Sequence, residues 1–397
     1  MDTFPKMVFK FLGYFPIPIH INTKPRNSVS AIIPLPDLHE KPSQSSFWAS
    51  IFPVVFYSSV AVSVIAVFFL GEVKSQPLHV RKRQSQSNTL YMSVLLKSSL
   101  HLVCAVVIKV GMFLERKSLA QLHSDIHALS VSLWNFIRND VVGGDDGIRA
   151  PMTNRHSKSF VFEVAIFMIL IALGIIEVHY NLILDPAASI GFIYIYCTPV
   201  ALGYLHSIFS FVVVYYLNWY LELLLQLKFA VTEKYRNFPS VGKVEGHEND
   251  ENPELILNIY ASLESQVQNF NRVFKFWITL DMIHSLSRVV FSAYFVSTSS
   301  ANSPSRVAVM HDLMTIGLYF YIIYLVCKRG SELESESKGI VRDLKMLMNI
   351  KKVPVFKKPC PLYVQTDFFK LNLRLVTPIV GTVTTYIIVL IQFQGNG

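Results

Sequence analysis

Charge is scarce in this chain. Only 16% of its 397 residues are Asp, Glu, Lys or Arg, against about 25% in a soluble domain. Hydrophobic residues make up 52%, and the mean hydropathy is +0.40. The apolar residues gather in runs, which excludes the string of soluble domains that the length alone would allow. Cysteine is also sparse: Cys104, Cys197, Cys327 and Cys360 lie far apart with no CxxC pair, so neither a disulfide framework nor a zinc site is read. HExxH, GxSxG, P-loop and GxGxxG patterns are missing, leaving enzyme function and a bound cofactor without support. The net charge of +9 raises the question of nucleic acid. The basic residues flank apolar runs instead of clustering on a docking element, so membrane topology accounts for them and no nucleic-acid partner is expected. The composition is that of an integral protein of the lipid bilayer.

A helix needs about 20 mostly apolar residues to cross the hydrocarbon layer. The runs at 49–71, 160–182, 192–217 and 308–329 satisfy this. Two further runs are more polar but long enough: 90–113, with Lys97, His101 and Lys109, and 277–298, with Asp281, His284 and Arg288. The last is 375–393. The fold expected is therefore an all-α membrane protein with seven transmembrane helices. Residues 1–42 contain no compact signal-peptide core, so the first span is expected to act as a signal anchor. Lys97 and Lys109, near the two ends of the second span, are expected to snorkel toward headgroups.

Orientation follows from the basic residues between spans. The N-terminal segment has 5, and the second, fourth and sixth loops have 6, 6 and 9. The first, third and fifth loops have 4, 0 and 1, and the C-terminal tail has none. The excess marks the cytoplasmic side, predicting the N-terminus inside and the C-terminus outside, opposite to a G-protein-coupled receptor.

Beyond the membrane, Leu255, Ile259, Leu263, Val267, Phe270, Phe274 and Trp277 recur every three or four residues and lead into the fifth span. Span four continues through Leu221, Leu224, Lys228, Val231 and Tyr235 up to Pro239, and span six through Leu333, Ile340, Leu344 and Leu347. These stripes predict helical extensions. Surface-lying amphipathic helices favour basic polar faces, whereas Glu332, Glu334 and Glu336 make this stretch acidic. A packed cytoplasmic bundle is the better expectation. Gly143, Gly144, Asp145, Asp146 and Gly147 read as a turn, and 245–253 as a polar linker.

The final span reads Thr384-Thr385-Tyr386-Ile387-Ile388-Val389-Leu390-Ile391-Gln392-Phe393, preceded by Asp367-Phe368-Phe369, Asn372 and Gly381. Thr-Tyr, five apolar residues and Gln-Phe at the end of a seventh helix resemble the signature of insect gustatory receptors. The resemblance is specific over 367–393 and architectural elsewhere. It implies a homotetrameric or heterotetrameric ligand-gated cation channel, passing Na⁺, K⁺ and Ca²⁺, in the plasma membrane of sensory neurons. It also implies that the seventh helices line a central pore, and that the inner parts of helices four to seven form an anchor. Ile387 stands where the sugar-receptor branch tends to carry an acidic residue, so the small-molecule tastant expected is a bitter or other plant compound. The implied organisation is a cytoplasmic segment at 1–46 and a six-helix ligand-binding region with cytoplasmic extensions at 47–330. An anchor segment follows at 331–374, then the pore helix and short outer tail at 375–397.

Taken residue by residue, the last helix suits a pore. Thr377, Gly381, Thr384, Thr385, Ile388 and Gln392 fall roughly on one face. Thr385 and Tyr386 belong to the motif, Gln392 would place an amide near the outer mouth, and Ile388 and Val389 would form a constriction that closes by dewetting. The competing reading is that Thr and Gly merely permit close helix packing. Asp281, His284 and Arg288 share a face of span five, and Asp312, Thr315 and Tyr319 a face of span six. Glu177 lies near the outer end of span three, and Tyr194 and Thr198 lie on span four. Charged groups inside a membrane face a protein interior or a wet cavity. Glu177, Tyr194, Thr198, Arg288, Asp312 and Tyr319 are accordingly the expected lining of an outward pocket. A purely structural ion pair of Arg288 with Asp312 or Glu177 is the alternative. Asp281 and His284 lie deeper, where a structural role leads. His123 and His127 are four apart but lack a third metal ligand and read as a helix face. A G-protein-coupled receptor lacks support because DRY and NPxxY are missing. A secondary transporter lacks the paired broken helices of repeated halves.

Overall fold

The computed structural model describes residues 88–138, 198–236, 252–299, 306–351 and 358–395, with the isolated helical position 165. Among these the chain is all-helical. The elements are α1 (Asn88–Leu114), α2 (Arg116–Phe136), α3 (Thr198–Arg236), α4 (Asn252–Ser299), α5 (Arg306–Lys351), a 3-10 turn (Leu373–Leu375) and α6 (Val376–Gly395). Four of the expected spans, at 90–113, 277–298, 308–329 and 375–393, lie in described helical stretches, and 192–217 is helical from Thr198 onward. The spans expected at 49–71 and 160–182, and the segment 1–46, lie outside the described residues.

The long helices overrun any bilayer. α4 has 48 residues and α5 has 46. At about 1.5 Å per residue they extend roughly 70 Å, more than twice a hydrocarbon layer of about 30 Å. The start of α4 follows from its sequence. Pro253 stands in the first turn, where a missing N–H is harmless, and Glu254 faces the positive helix end. α1 and α2 are nearly one rod. The Glu115 N–H donates to Gly111 O and the Leu119 N–H to Glu115 O, both at 2.9 Å, so the register passes through the break.

α4 is the central element: α1, α2, α3, α5 and α6 all pack on it. Beyond the apolar runs the expected stripes are buried. Ile259, Leu263, Val267, Phe270 and Phe274 of α4 meet Leu224 and Leu227 of α3 and Leu333, Ile340 and Leu344 of α5 in one core, and Leu221 of α3 is buried as well. Each such side chain contributes about 1.5–3 kcal/mol where water is the alternative environment. Inside lipid this driving force vanishes and close packing replaces it. Leu255 is exposed while its neighbour Ile256 is buried, so the α4 stripe begins one residue later than expected. The acidic stretch of α5 is paired: Arg329 bonds Glu332 and Lys228 of α3 bonds Glu336, both at 2.7 Å, and Lys338 bonds Glu334 at 2.6 Å. The Lys338 bond holds the Glu334 carboxyl below the usual range. These extensions form a packed bundle. Lys109 departs from expectation. It is buried within the protein at 4% exposure, so its stem does not reach out to headgroups. The Lys97 side chain lies outside the described residues.

The segment preceding α6 has no periodicity, yet it is tied tightly across the N-terminal half of α4 and the C-terminal half of α5. Tyr260 donates its hydroxyl to Cys360 O at 2.6 Å, and burial pushes that hydroxyl's pKa up, keeping it protonated as a donor. Asn271 donates to Tyr363 O at 3.0 Å and accepts from the Gln365 N–H at 3.2 Å, acting as one residue of a strand partner. Ser337 accepts from the Leu362 N–H at 2.9 Å and donates to the Glu334 and Leu362 carbonyls. At Gly330 a Cβ would lie 2.2 Å from Leu371 O, so α5 and this strap approach backbone to backbone.

Candidate functional site

The strap sets the entry of α6. The Thr366 hydroxyl accepts from the Phe368 and Phe369 N–H groups at 3.3 and 3.1 Å, turning the chain. Lys275 of α4 bonds Asp367 at 2.7 Å, and Phe369 packs on the core. Asn372, extended at φ −150°, accepts from the Arg374 N–H and caps the 3-10 turn. Pro378 falls in the first turn of α6, where it removes no helical bond. The Asp-Phe-Phe and Asn elements of the motif are thus a launching device for the last helix.

α6 itself is two-faced. Val383 is buried, and Val376, Ile379 and Ile387 on the same side pack on the core. The other side is bare in the single chain: Thr377, Gly381, Thr384, Thr385, Ile388 and Gln392 are all exposed. Tyr386 is 57% exposed, and Val389 is exposed as well. The face expected from the sequence is therefore the face left free. The Thr384 and Thr385 hydroxyl protons are engaged with Val380 O and Gly381 O one turn back, at 2.9 and 3.0 Å. They present oxygen lone pairs, rather than protons, outward. A Cβ at Gly381 would meet nothing within 4 Å, so that glycine is not required for packing within one chain.

The intramembrane polar residues converge on the interior. Asp281, His284 and Arg288 of α4 are buried, as are Asp312, Thr315 and Tyr319 of α5. The Arg288 guanidinium lies 5.6 Å from the Tyr319 ring centroid, and the His284 ring meets the same Tyr319 edge-on at 5.6 Å. The Arg288 guanidinium is thus drawn to an aromatic face. Glu177 and Tyr194 lie outside the described residues, and Thr198 opens α3 with its side chain undescribed. Arg288 and Tyr319, two members of the expected pocket, are brought face to face.

Two residues escape the sequence reading: His206 and Ser210 of α3. His206 Nε2 lies 3.0 Å from Asp281 Oδ1, and the Ser210 hydroxyl donates to Asp281 Oδ2 at 2.5 Å. The His206 ring stands edge-on to His284 at 4.7 Å. A buried polar column therefore runs from Ser210 through Asp281, His206, His284 and Tyr319 to Arg288. Its signal was present as two polar residues one helical turn apart within an apolar run. His123, read as a helix face, packs edge-on against Trp219 at 5.2 Å.

With this geometry in view, comparison with known proteins is decisive at the family level. The family model described as "7tm Chemosensory receptor" matches residues 8–353. This chain belongs to the 7tm chemosensory receptor family. No curated protein sequence matches the receptor significantly. Among solved structures, the insect olfactory receptor OR5 from Machilis hrabei aligns with a TM-score of 0.59 at 14% identity, covering 98% of this chain and 97% of that one. The same receptor in complex with eugenol aligns at 0.62, with identical identity and coverage. At that identity the likeness establishes a shared fold. The family is one of receptors, and it places this chain among membrane proteins.

Proposed function

We propose that this chemosensory receptor is a subunit of a ligand-gated, non-selective cation channel of the gustatory type. A small extracellular tastant, a bitter or other plant compound rather than a sugar, opens it. Seven helices cross the plasma membrane of a sensory neuron, with the N-terminus inside and the C-terminus outside. Four subunits, identical or from related receptors, surround one pore. Gln392 rings its outer end, Ile388 and Val389 close it one turn inward, and Thr385 and Tyr386 complete the lining. Residues 47–330 hold the ligand pocket, to which Glu177, Tyr194, Thr198, Arg288, Asp312 and Tyr319 contribute. Residues 331–374 belong to the anchor.

One observation carries this reading. The motif-bearing face of α6, polar at Thr384, Thr385 and Gln392, is exposed in the single chain, while its opposite face packs on the core with α4. A helix so mounted suits a partner made of other copies of itself. The polar residues beside Tyr319 support a small organic ligand, in keeping with a similar receptor solved with eugenol. The loop charges support the orientation.

The test has two parts. Fluorescent tags on each terminus should report a cytoplasmic N-terminus and an extracellular C-terminus; a cytoplasmic C-terminus would overturn the channel reading. Mass measurement of the detergent-solubilised receptor should give a tetramer, and a conducting monomer would contradict it.

A further inference from the structure

The deep end of the polar column holds more than a hydrogen-bonded pair. His206, Asp281 and His284 are all buried, with ligand-type atoms that lie within 4.8 Å of one another. His206 Nε2 and Asp281 Oδ1 are 3.0 Å apart, yet neither atom makes a hydrogen bond among the described residues, and His206 Nδ1 makes none either. Buried polar atoms left in this way call for an occupant. Asp281 Oδ2, by contrast, accepts from Ser210, which fixes the carboxylate. A carboxylate held by a hydrogen bond through one oxygen, with its other oxygen turned to an imidazole nitrogen, is a usual arrangement for a metal ligand. Cys104 of α1 is also buried, and the Asp281 carboxylate is within electrostatic reach of its thiol.

We propose that His206, Asp281 and His284, with Cys104 as fourth donor, form a buried site for a divalent transition-metal ion of the zinc type, clamping α1, α3 and α4 together. This goes beyond the channel reading and does not depend on it. Zn–N and Zn–O bonds of about 2.0–2.2 Å at tetrahedral angles set ligand atoms about 3.3 Å apart. The atoms of His206, Asp281 and His284, all within 4.8 Å of one another, bracket that value; Cys104 lies outside that group and has to swing toward it to complete the shell. Calcium and magnesium are excluded by the donor set, because they demand several oxygens. Imidazole, carboxylate and thiolate together select zinc and its first-row neighbours. Charge argues for the fourth donor. Two neutral imidazoles and one carboxylate leave a dication at a net charge of +1 beside Arg288, which acts electrostatically on His284. A Cys104 thiolate brings the site to neutrality, the state a low-dielectric interior tolerates.

The experiment uses the full-length receptor, purified in detergent with its affinity tag removed, with Co²⁺ and Zn²⁺ as probes. One metal ion per chain is expected, with the visible absorption of tetrahedral Co²⁺ and a thiolate charge-transfer band. His206→Gln and Asp281→Asn should lower affinity at least about 10-fold, while Cys104→Ser should retain cobalt but lose the charge-transfer band. The double variant His123→Ala/His127→Ala should bind as the wild type does. Should the ligand variants fail to fold, X-ray absorption at the zinc edge of the wild-type receptor decides: a shell with imidazole and one sulfur is expected. A folded wild-type receptor that takes up no stoichiometric metal would overturn the site and leave a metal-free triad. Full binding by both His206→Gln and Asp281→Asn, or a zinc shell without imidazole, would overturn it equally.

Discussion

Asn271 offers the cleanest perturbation of the strap that launches α6. Its amide makes two bonds to that segment, donating to Tyr363 O at 3.0 Å and accepting from the Gln365 N–H at 3.2 Å. A net hydrogen bond contributes about 0.5–1.5 kcal/mol, and this pair is exposed, so Asn271→Ala should weaken local closure by about 1–2 kcal/mol. That is a factor of roughly 5–30 in an opening equilibrium. Hydrogen exchange of the purified receptor should then show 362–371 exchanging faster by that factor, while buried segments of α4 remain unchanged. Asn271→Asp keeps the acceptor for Gln365 but turns a carboxylate oxygen toward the Tyr363 carbonyl, so its effect should be at least as large. Wild-type exchange of 362–371 in both variants would refute the claim that this side chain holds the strap.

A Cβ at Gly111 would fall 1.8 Å from the Trp277 ring, so Gly111→Ala should destabilise the α1–α4 contact by about 1–3 kcal/mol; thermal unfolding should record the loss and its relief in the double variant with Trp277→Leu. Ile388→Ser or Val389→Ser should wet the proposed constriction and produce current without ligand in recorded cells. Tyr319→Leu removes the ring facing the Arg288 guanidinium, worth about 0.5–2 kcal/mol, and should shift agonist dose–response curves to the right, with surface expression checked. Arg288→Ala and Asp312→Ala should weaken the response in the same assay.

Much of this architecture was legible because helices advertise themselves. The stripe Ile259, Leu263, Val267, Phe270 and Phe274 named the buried face of α4 well beyond its apolar run, and Leu333, Ile340, Leu344 and Leu347 did so for α5. The polar line of α6 likewise named its free side. The strap was illegible because its order comes from Asn271, Ser337 and Tyr260, residues distant in sequence that pair with its backbone. Backbone partners leave no trace in side-chain periodicity. Pairings across helices were equally hidden. Asp281, His284 and Arg288 were seen to share a face, but nothing in the chain said that His206 would meet the first two, or that Arg288 would lie over the Tyr319 ring. Lys109 was misplaced because a stem long enough to snorkel is also long enough to fold inward among neighbours.

Ion selectivity of Gln392→Glu tests the central claim most directly. If α6 lines the conduction path, a neutral amide ring becomes a ring of carboxylates at the outer mouth, about 5–6 Å outward of Ile388. Such a ring attracts divalent cations. Reversal potentials of agonist-evoked currents, measured in Ca²⁺ and in Na⁺, should shift toward greater relative Ca²⁺ permeability than in the wild type. A variant that reaches the surface and conducts with unchanged reversal potentials in both ions would contradict the account, because Gln392 would then lie outside the path of the ions.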